Sequence, residues 1–467
     1  MRKTTTYVAW LAAALALAGC SLAPTYERPA APVPARYADA TSVSDAAMPT
    51  WEHFIQEARL RTLVQAALTS NRDLRQALLD IEAARAQYGI QRADQLPTVS
   101  AGASVDRQRT PEGLSTTGQA SVGSTYRAEL GLAAFELDLF GRTHNLSQSA
   151  LQEFLATEQA ARSVRISLVA SVSEAYVRYS VADARIALTR KTFEARQESL
   201  DLVRMRRSVG AASEVDVRDA VGLVEQARTE LFRTQRERTQ AVNALQLLVG
   251  RNGLNATLAA ASPDDVLFED VQPGLPSALL TLRPDILAAE HRIRARQADI
   301  GAARAAFFPR VTLTGAYGGA SPELSDLFSA GARAWQFMPQ LTLPIFTGGR
   351  TQAALDLAEV RRDASILAYE QAIQTAFTEV ADALTARATL GEQMEAQARL
   401  VTNGAESLQL AQMRYLNGVD SNLRYLDAQR QDFANRLAML DTWSALQNSR
   451  IALYKAMGGG DDARGAP

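Results

Sequence analysis

The sequence SLDLVRMRRSVGAASEVDVRDA occupies residues 199–220, and SLQLAQMRYLNGVDSNLRYLDA occupies residues 407–428. The two stretches align at a constant shift of 208 positions, which pairs Gly210 with Gly418. Each stretch predicts a helix, a turn centred on glycine and a second helix, because the position after a helix end often needs a positive φ. Self-similarity over half the chain predicts an internal duplication of one large unit.

The composition is that of a folded protein without an electrostatic signature for nucleic acid. The 467 residues are 47% hydrophobic and 21% charged, with a net charge of −2 and a pI near 6.1. Binding to nucleic acid normally requires a basic patch, which these values do not indicate. The three histidines lie far apart, and we find no nucleophile motif, phosphate loop or cysteine cluster. We therefore expect no enzymatic activity, no metal site and no cofactor other than a covalent lipid.

The N-terminus predicts export and lipidation. Arg2 and Lys3 precede an apolar run over residues 7–18, which is typical of a signal peptide spanning residues 1–19. The only cysteine, Cys20, ends the sequence Leu-Ala-Gly-Cys, which resembles a bacterial lipoprotein processing box. The alternative is an ordinary signal peptide with an incidental free cysteine. Ser21, rather than aspartate, fits the sorting rule for outer-membrane lipoproteins.

The chain after the signal peptide divides into two repeats with short connecting segments. The boundaries that we predict are a lipidated, Pro/Ala-rich tether at 20–50, a first repeat at 51–250, an equatorial linker at 251–281, a second repeat at 282–458 and a disordered tail at 459–467. Each repeat should contain helices, one β-hairpin, at about 97–140 and about 309–346, and long helices afterwards. We expect the long helical stretch of the second repeat to be interrupted near Gly391 and Asn403-Gly404.

The four predicted strands alternate apolar and polar side chains. In the fourth strand, Trp335, Phe337, Leu341, Leu343 and Ile345 should face one way. A soluble sheet on a core gives the same alternation as a membrane barrel, but the export signal favours the membrane. Four strands cannot close a barrel, and open edges cannot exist in lipid, so we expect the chain to oligomerise into a shared barrel.

One side-chain constellation lies beside the second glycine turn. Leu423, Asp427 and Arg430 are spaced by four and three residues, which places all three on one helix face. From the residues alone, a solvent-exposed ion pair of little energetic value remains the simpler interpretation. In a symmetric tube, the same face would form rings of leucine and charge, which is how pores are constricted.

Several motifs, in chain order, resemble those of one family. They are FELDLFGR at 135–142, AYVRY at 175–179, LRPDILAAEHRI at 282–293, IGAARAAFFP at 300–309, LPIFTGGR at 343–350 and YLNGVDSNLRYLDAQR at 415–430. The chain resembles the outer-membrane factor (TolC-like) family, most closely the OprM-type outer-membrane lipoproteins of RND multidrug efflux systems. The resemblance implies a mainly α fold with a membrane β-barrel segment. In a TolC-like homotrimer, four strands and long coiled-coil helices per chain would form a 12-stranded β-barrel and a periplasmic α-barrel.

The resemblance also implies roles for individual residues. Leu423, Asp427 and Arg430 would form the periplasmic gate, with Tyr415 as a tethering partner and Asp219 as the equivalent of Asp427 in the first repeat. The predicted adaptor-docking residues are Val209, Gly210, Ala211, Gly418 and Val419, and the predicted lipidation site is Cys20. The first-repeat counterparts of Arg430 and Tyr415 are Gly222 and Arg207, so the second repeat should carry most of the gating.

The function that the resemblance implies is passive export. The chain would be the outer-membrane channel of a tripartite efflux pump, working with a periplasmic adaptor and an inner-membrane RND pump, and lying in outer-membrane lipid with a periplasmic extension. A channel for heavy-metal efflux or type I protein secretion remains an alternative. A periplasmic coiled-coil lipoprotein scaffold would explain the helices and Cys20, but not the four strands.

Overall fold

The computed structural model describes residues 21–34, 37, 48–116, 118–254, 258–271 and 279–460. The predicted signal peptide, the predicted lipidation site Cys20 and residues 461–467 of the predicted tail lie outside the described residues. Within them, two units are compact. One draws on Met1–Ala30, Asp80–Glu158 and Ala288–Tyr369, and the other on Ala31–Leu79, Gln159–Leu287 and Glu370–Pro467.

Both halves of the chain have helices, then two strands, then two long helices, and the first half begins with one additional short helix. The first half contains α1 (Trp51–Phe54), α2 (Ala58–Ser70), α3 (Arg72–Ala93), β1 (Val99–Thr110), β2 (Ser121–Leu137), α4 (Arg142–Ser208) and α5 (Glu214–Val249). The second contains α6 (Leu279–Leu282), α7 (Pro284–Ala305), β3 (Arg310–Ser321), β4 (Arg333–Thr342), α8 (Arg350–Leu416) and α9 (Asn422–Ala456). α4 and α8 have 67 residues each, so the two repeats agree in the length of their longest helix as well as in sequence.

The four strands form one antiparallel sheet in the order β1-β2-β3-β4. The two hairpins meet at the β2–β3 pair, where the register shifts between Leu132 and Phe135 around Ala134, a non-glycine residue with φ of 43°. β4 ends at Thr342, earlier than expected, so Leu343 and Ile345 lie beyond it. Pro344 lies two positions beyond this end and has no backbone N–H to donate to a neighbouring strand.

Aromatic side chains fill the core of the second unit. Phe54 stacks on Tyr454 at 4.1 Å and on Phe268 at 5.1 Å between ring centroids. The hydroxyls of the buried Tyr176 and Tyr179 donate hydrogen bonds to backbone carbonyls of the linker, at 3.1 and 3.2 Å. The described part of the predicted linker therefore belongs to this core, since buried tyrosine needs a hydrogen-bond acceptor and the linker supplies it.

The expected interruption of the second long helix is wrong. α8 continues from Arg350 to Leu416 through both Gly391 and Gly404. Gly404 lies against α9, where an added Cβ would come within 2.8 Å of Asn435 Nδ2. Glycine is needed at this position for close helix packing rather than for a break. Among the described residues, no helix is long and apolar enough to cross a membrane.

The N-terminal segment from Ser21 to Ala30 is extended, and side chains of the first unit hold it. The buried Glu290 accepts a hydrogen bond from the Tyr26 hydroxyl at 2.9 Å and two from Arg28 Nη2 at 2.9 and 3.1 Å. Arg294 also donates to Glu290, at 2.6 Å. At the other end of the segment, the Ser21 hydroxyl donates to Asn145 Oδ1 at 2.7 Å. This part of the predicted tether is therefore packed onto the protein.

Candidate functional site

Two glycine turns join the paired long helices, as the sequence predicts. Gly210 has a φ of +78° and Gly418 a φ of +72°. Both turns close with the same backbone hydrogen bonds: Ala211 N donates to Arg206 O at 2.8 Å, and Val419 N donates to Arg414 O at 2.9 Å. This pattern terminates a helix by satisfying its last carbonyls, and it needs a left-handed residue.

Different side chains hold the two turns. In the first, the Ser213 hydroxyl accepts from Asp216 N while the Asp216 carboxylate accepts from Ser213 N, which forms a capping box for α5. An ion pair between Arg207 and Glu214 also spans this first turn. The second turn is closed by an ion pair between different positions, with Arg414 Nε 2.6 Å from Asp420 Oδ2. Hydrogen bonding to Arg414 lowers the pKa of the Asp420 carboxyl. The two tips therefore share a backbone but present different charges.

The predicted docking residues form exposed tips. Val209 is 76% exposed and Val419 is 61% exposed, and Ala211 is also exposed. A Cβ added at Gly210 or Gly418 would meet nothing within 4 Å. Exposed valines at both tips are available for contact with another protein.

The predicted gate residues lie on one face of α9, near its start. Asp427 and Arg430 form an ion pair, with side chains 57% and 49% exposed, and Leu423 is 56% exposed. An isolated pair at this exposure contributes about 0.2–1 kcal/mol to stability. Within one chain the pair is therefore marginal for folding, and the three side chains remain available to line a shared passage.

Tyr415 connects the two helical hairpins. It is buried, and its ring stacks on Tyr425 at 5.6 Å between centroids. The Arg206 guanidinium lies 4.4 Å from the centre of the Tyr415 ring, a cation–π contact. Arg206 also donates to the carbonyls of Tyr415 and Leu416, at 3.5 and 3.4 Å. These contacts fasten the end of α8 to the end of α4.

Comparison with known proteins identifies the family to which this architecture belongs. The pattern of the family described as outer membrane efflux protein matches residues 63–251 and 275–459. The chain belongs to this family. Its membership confirms the predicted resemblance, the TolC-like fold class and the outer-membrane location, and it excludes the coiled-coil scaffold.

Relatives of this efflux protein match it over nearly its full length. It is 52% identical over 467 residues to outer membrane protein OprJ of Pseudomonas aeruginosa, covering 99% of this chain and 97% of OprJ. It is 45% identical over 455 residues to the probable efflux pump outer membrane protein TtgC of Pseudomonas putida, covering 96% of this chain and 94% of TtgC. The structure of the open-state MtrE channel of Neisseria gonorrhoeae is similar with a TM-score of 0.87 at 38% identity, covering 94% and 98% of the two chains.

Arg206 is a residue of this efflux protein that the sequence pattern did not single out. At the shift of 208 its counterpart is Arg414, which closes its own turn with Asp420. The first repeat has Ala212 where the second has Asp420, so Arg206 lacks that partner and contacts the other hairpin. The absence of an acidic residue at position 212 is the sequence feature that could have indicated a different partner for Arg206. Asp219, the equivalent of Asp427, is exposed on α5, and the described contacts do not join it to the Asp427–Arg430 pair.

Proposed function

We propose that this protein is the outer-membrane channel of a tripartite RND-type efflux pump, a passive duct that carries drugs and other small toxic compounds from the periplasm to the exterior. The observation that carries the proposal is the pair of exposed tips on a duplicated helical scaffold, in a chain that also forms a four-stranded antiparallel sheet. Relatives named as efflux pump outer membrane proteins, such as TtgC, support the cargo class.

A homotrimer would complete the sheet. Among the described residues β1 and β4 each pair on one side only, and β4 exposes Trp335, Phe337 and Leu341 at 76%, 60% and 67%. Unpaired backbone groups are not tolerated in lipid, so each edge requires a partner strand. Three copies would join β4 to β1 of the next chain and give the 12-stranded barrel, with the apolar side chains facing lipid.

We place the periplasmic gate at Leu423, Asp427 and Arg430, and the adaptor-docking surface at the two glycine tips. In the trimer each gate residue would become a ring of three. The Arg206–Tyr415 contact would hold the hairpins in one arrangement. Adaptor binding can shift the equilibrium between closed and open gates only by the difference between its binding free energies for the two arrangements.

Lipidation of Cys20 would anchor the same chain a second time. Ser21, the next residue, donates a hydrogen bond to Asn145 near the start of α4. α4 begins a few residues after β2 ends. This is where the membrane segment ends in the proposed assembly, so an acyl chain on residue 20 would enter the membrane there. Mass spectrometry of the mature protein would detect diacylglyceryl and palmitoyl groups on Cys20, and an unmodified Cys20 would contradict the assignment.

Efflux in living cells tests the function. Cells that lack their own outer-membrane factor receive this protein with an RND pump and its adaptor, and accumulation of a dye and an antibiotic is measured. We expect lower accumulation than with an empty vector. Unchanged accumulation, with heat-modifiable trimer present in the outer-membrane fraction, would contradict the drug-efflux assignment and favour metal or protein export.

Loosening the Arg206–Tyr415 contact should make the resting channel leak. Arg206→Ala removes a cation–π contact worth roughly 1–2 kcal/mol, so the ratio of open to closed channels should rise about tenfold. Single-channel recording in planar bilayers would measure this. Arg204→Ala is the control, because Arg204 is exposed and its ion pair within the described residues is an exposed one with Asp201 at 3.5 Å. Equal basal conductance in both variants would refute a tethering role for Arg206.

A further inference from the structure

Arg196 of α4 is a buried cation without a carboxylate partner among the described residues. It is 2% exposed, and Nη1 donates to Leu223 O at 2.9 Å and to Gln226 Oε1 at 3.4 Å. Its guanidinium lies 5.1 Å from the centre of the Phe433 ring, and Nε has no acceptor. Burial, with a smaller contribution from Arg430, lowers its pKa to about 10, so the side chain stays charged at neutral pH.

The two carboxylates that line the same groove as Arg196 are engaged by other arginines. Asp427 pairs with Arg430 on α9. Glu230 on α5 accepts from Arg233, with Nε 2.8 Å from Oε2. Neither acid compensates the charge of Arg196. Buried charges are normally paired, because desolvation costs several kcal/mol that only a counter-ion or good hydrogen bonds recover.

A groove of about 730 Å³ adjoins this unpaired cation. Its walls come from α4, α5 and α9, and its charged lining residues are Arg196, Glu230, Asp427 and Arg430. The volume suits a drug-sized organic molecule. Phe433, Ala434 and Leu437 supply apolar surface, while Thr229, Gln226 and Gln431 supply hydrogen-bond donors.

We propose that this groove binds small organic carboxylates with aromatic or aliphatic bodies, with Arg196 as the group that pairs with the carboxylate. A guanidinium presents parallel N–H donors that match a carboxylate, and it holds its charge in a buried position. Arg430 adds a second positive charge to the lining. Asp427 and Glu230 are already paired with Arg430 and Arg233, so Arg196 is the lining cation that lacks a carboxylate partner among the described residues. Binding at this site does not depend on transport, so the binding proposal can be tested independently of the efflux assignment.

Two dyes of similar size and opposite charge test the proposal on the purified, detergent-solubilised protein. Fluorescein carries a carboxylate and rhodamine 6G is cationic, and fluorescence anisotropy reports the binding of each. We expect fluorescein to bind, with affinity falling as salt rises, and rhodamine 6G to bind at least tenfold more weakly. Equal affinity for the two dyes would overturn the proposal.

Substitutions then locate the site. Arg196→Gln should weaken fluorescein binding at least tenfold, and Arg196→Lys should give an intermediate loss because it keeps the charge without the planar fork. Arg204→Gln, an exposed arginine outside the groove, is the matched control and should bind as the parent does. Heat-modifiable mobility shows that each variant assembles. Unchanged binding in an assembled Arg196→Gln or Arg196→Lys protein would refute the assignment.

Discussion

We expect Gly418→Trp to abolish the efflux that this protein restores, whereas Gly113→Trp leaves efflux intact. Gly418 lies at the exposed tip turn with a φ of +72°, and a side chain there meets no protein atom within 4 Å. Gly113 lies in the β1–β2 connection, is equally unobstructed and has no positive φ. The two variants therefore add the same bulk at two exposed loops, and only Gly418 lies on the proposed docking surface.

Two physical effects act together at Gly418. A tryptophan at a left-handed position costs roughly 1–2 kcal/mol of backbone strain. Its indole ring also occupies the space in which an adaptor would contact Val419. Gly418→Asn separates these effects, because asparagine tolerates the left-handed conformation and is small. We expect Gly418→Asn to retain most of the efflux.

The measurement is dye accumulation in cells that lack their own outer-membrane factor and contain a pump and an adaptor. Trimer levels in the outer-membrane fraction must match across the three variants. Efflux by Gly418→Trp equal to that of Gly113→Trp would show that the second tip is not a docking surface. Loss of efflux in all three would point to damage unrelated to docking.

The turns and long helices were predictable because their causes are local. A glycine at the same place in both repeats predicts a left-handed helix end, and both Gly210 and Gly418 have positive φ. α5 runs from Glu214 to Val249, as the helical pattern predicts. The ends of β4 were less predictable, because alternation continues past Pro344 although pairing stops at Thr342. The role of Gly404 was not predictable, since a single glycine in a helical pattern indicates either a break or close packing.

The contacts that form the site depend on which helices pack against each other. The hydrophobic periodicity of the sequence does not predict these pairings. Arg206 reaches Tyr415 across 209 positions of sequence, and Arg196 lies over Phe433 from another helix. Leu423, Asp427 and Arg430 could be placed on one face because they share a helix. The same limit applies to Glu290, whose partners Tyr26 and Arg28 lie more than 260 positions away in sequence.

Glu290→Ala should release the N-terminal segment. The Glu290 side chain is 4% exposed and accepts hydrogen bonds from Tyr26, Arg28 and Arg294. A hydrogen bond to a charged group contributes about 1.5–3 kcal/mol, and the exposure of Arg28 reduces its share. If these hydrogen bonds together contribute about 2 kcal/mol to attachment, their loss would raise the population of the detached segment roughly thirtyfold. Glu82→Ala is the control, because Glu82 forms an exposed pair with Arg85.

The same carboxylate makes the attachment pH-dependent. Burial alone raises the pKa of Glu290, but the hydrogen bonds from Tyr26 and Arg28 and the charge of Arg294 outweigh it, so the net pKa is lowered. A carboxyl whose pKa is lower in the folded state stabilises that state above its unfolded pKa of about 4.3, and this contribution disappears as pH falls through the folded value. The segment should therefore stay attached at neutral pH and detach in acid, as the pH falls through the lowered pKa of Glu290.

A nitroxide spin label on Ala30→Cys would report this detachment over the whole pH range. The parent should give an immobile spectrum at pH 7 and a mobile one in strong acid, whereas Glu290→Ala should be mobile at both. Glu82→Ala should behave as the parent does. An immobile label in Glu290→Ala at pH 7 would mean that Ser21–Asn145 and the backbone contacts suffice to hold the segment. A mobile label would show that one buried carboxylate fixes the end of the chain at which the proposed lipid anchor begins.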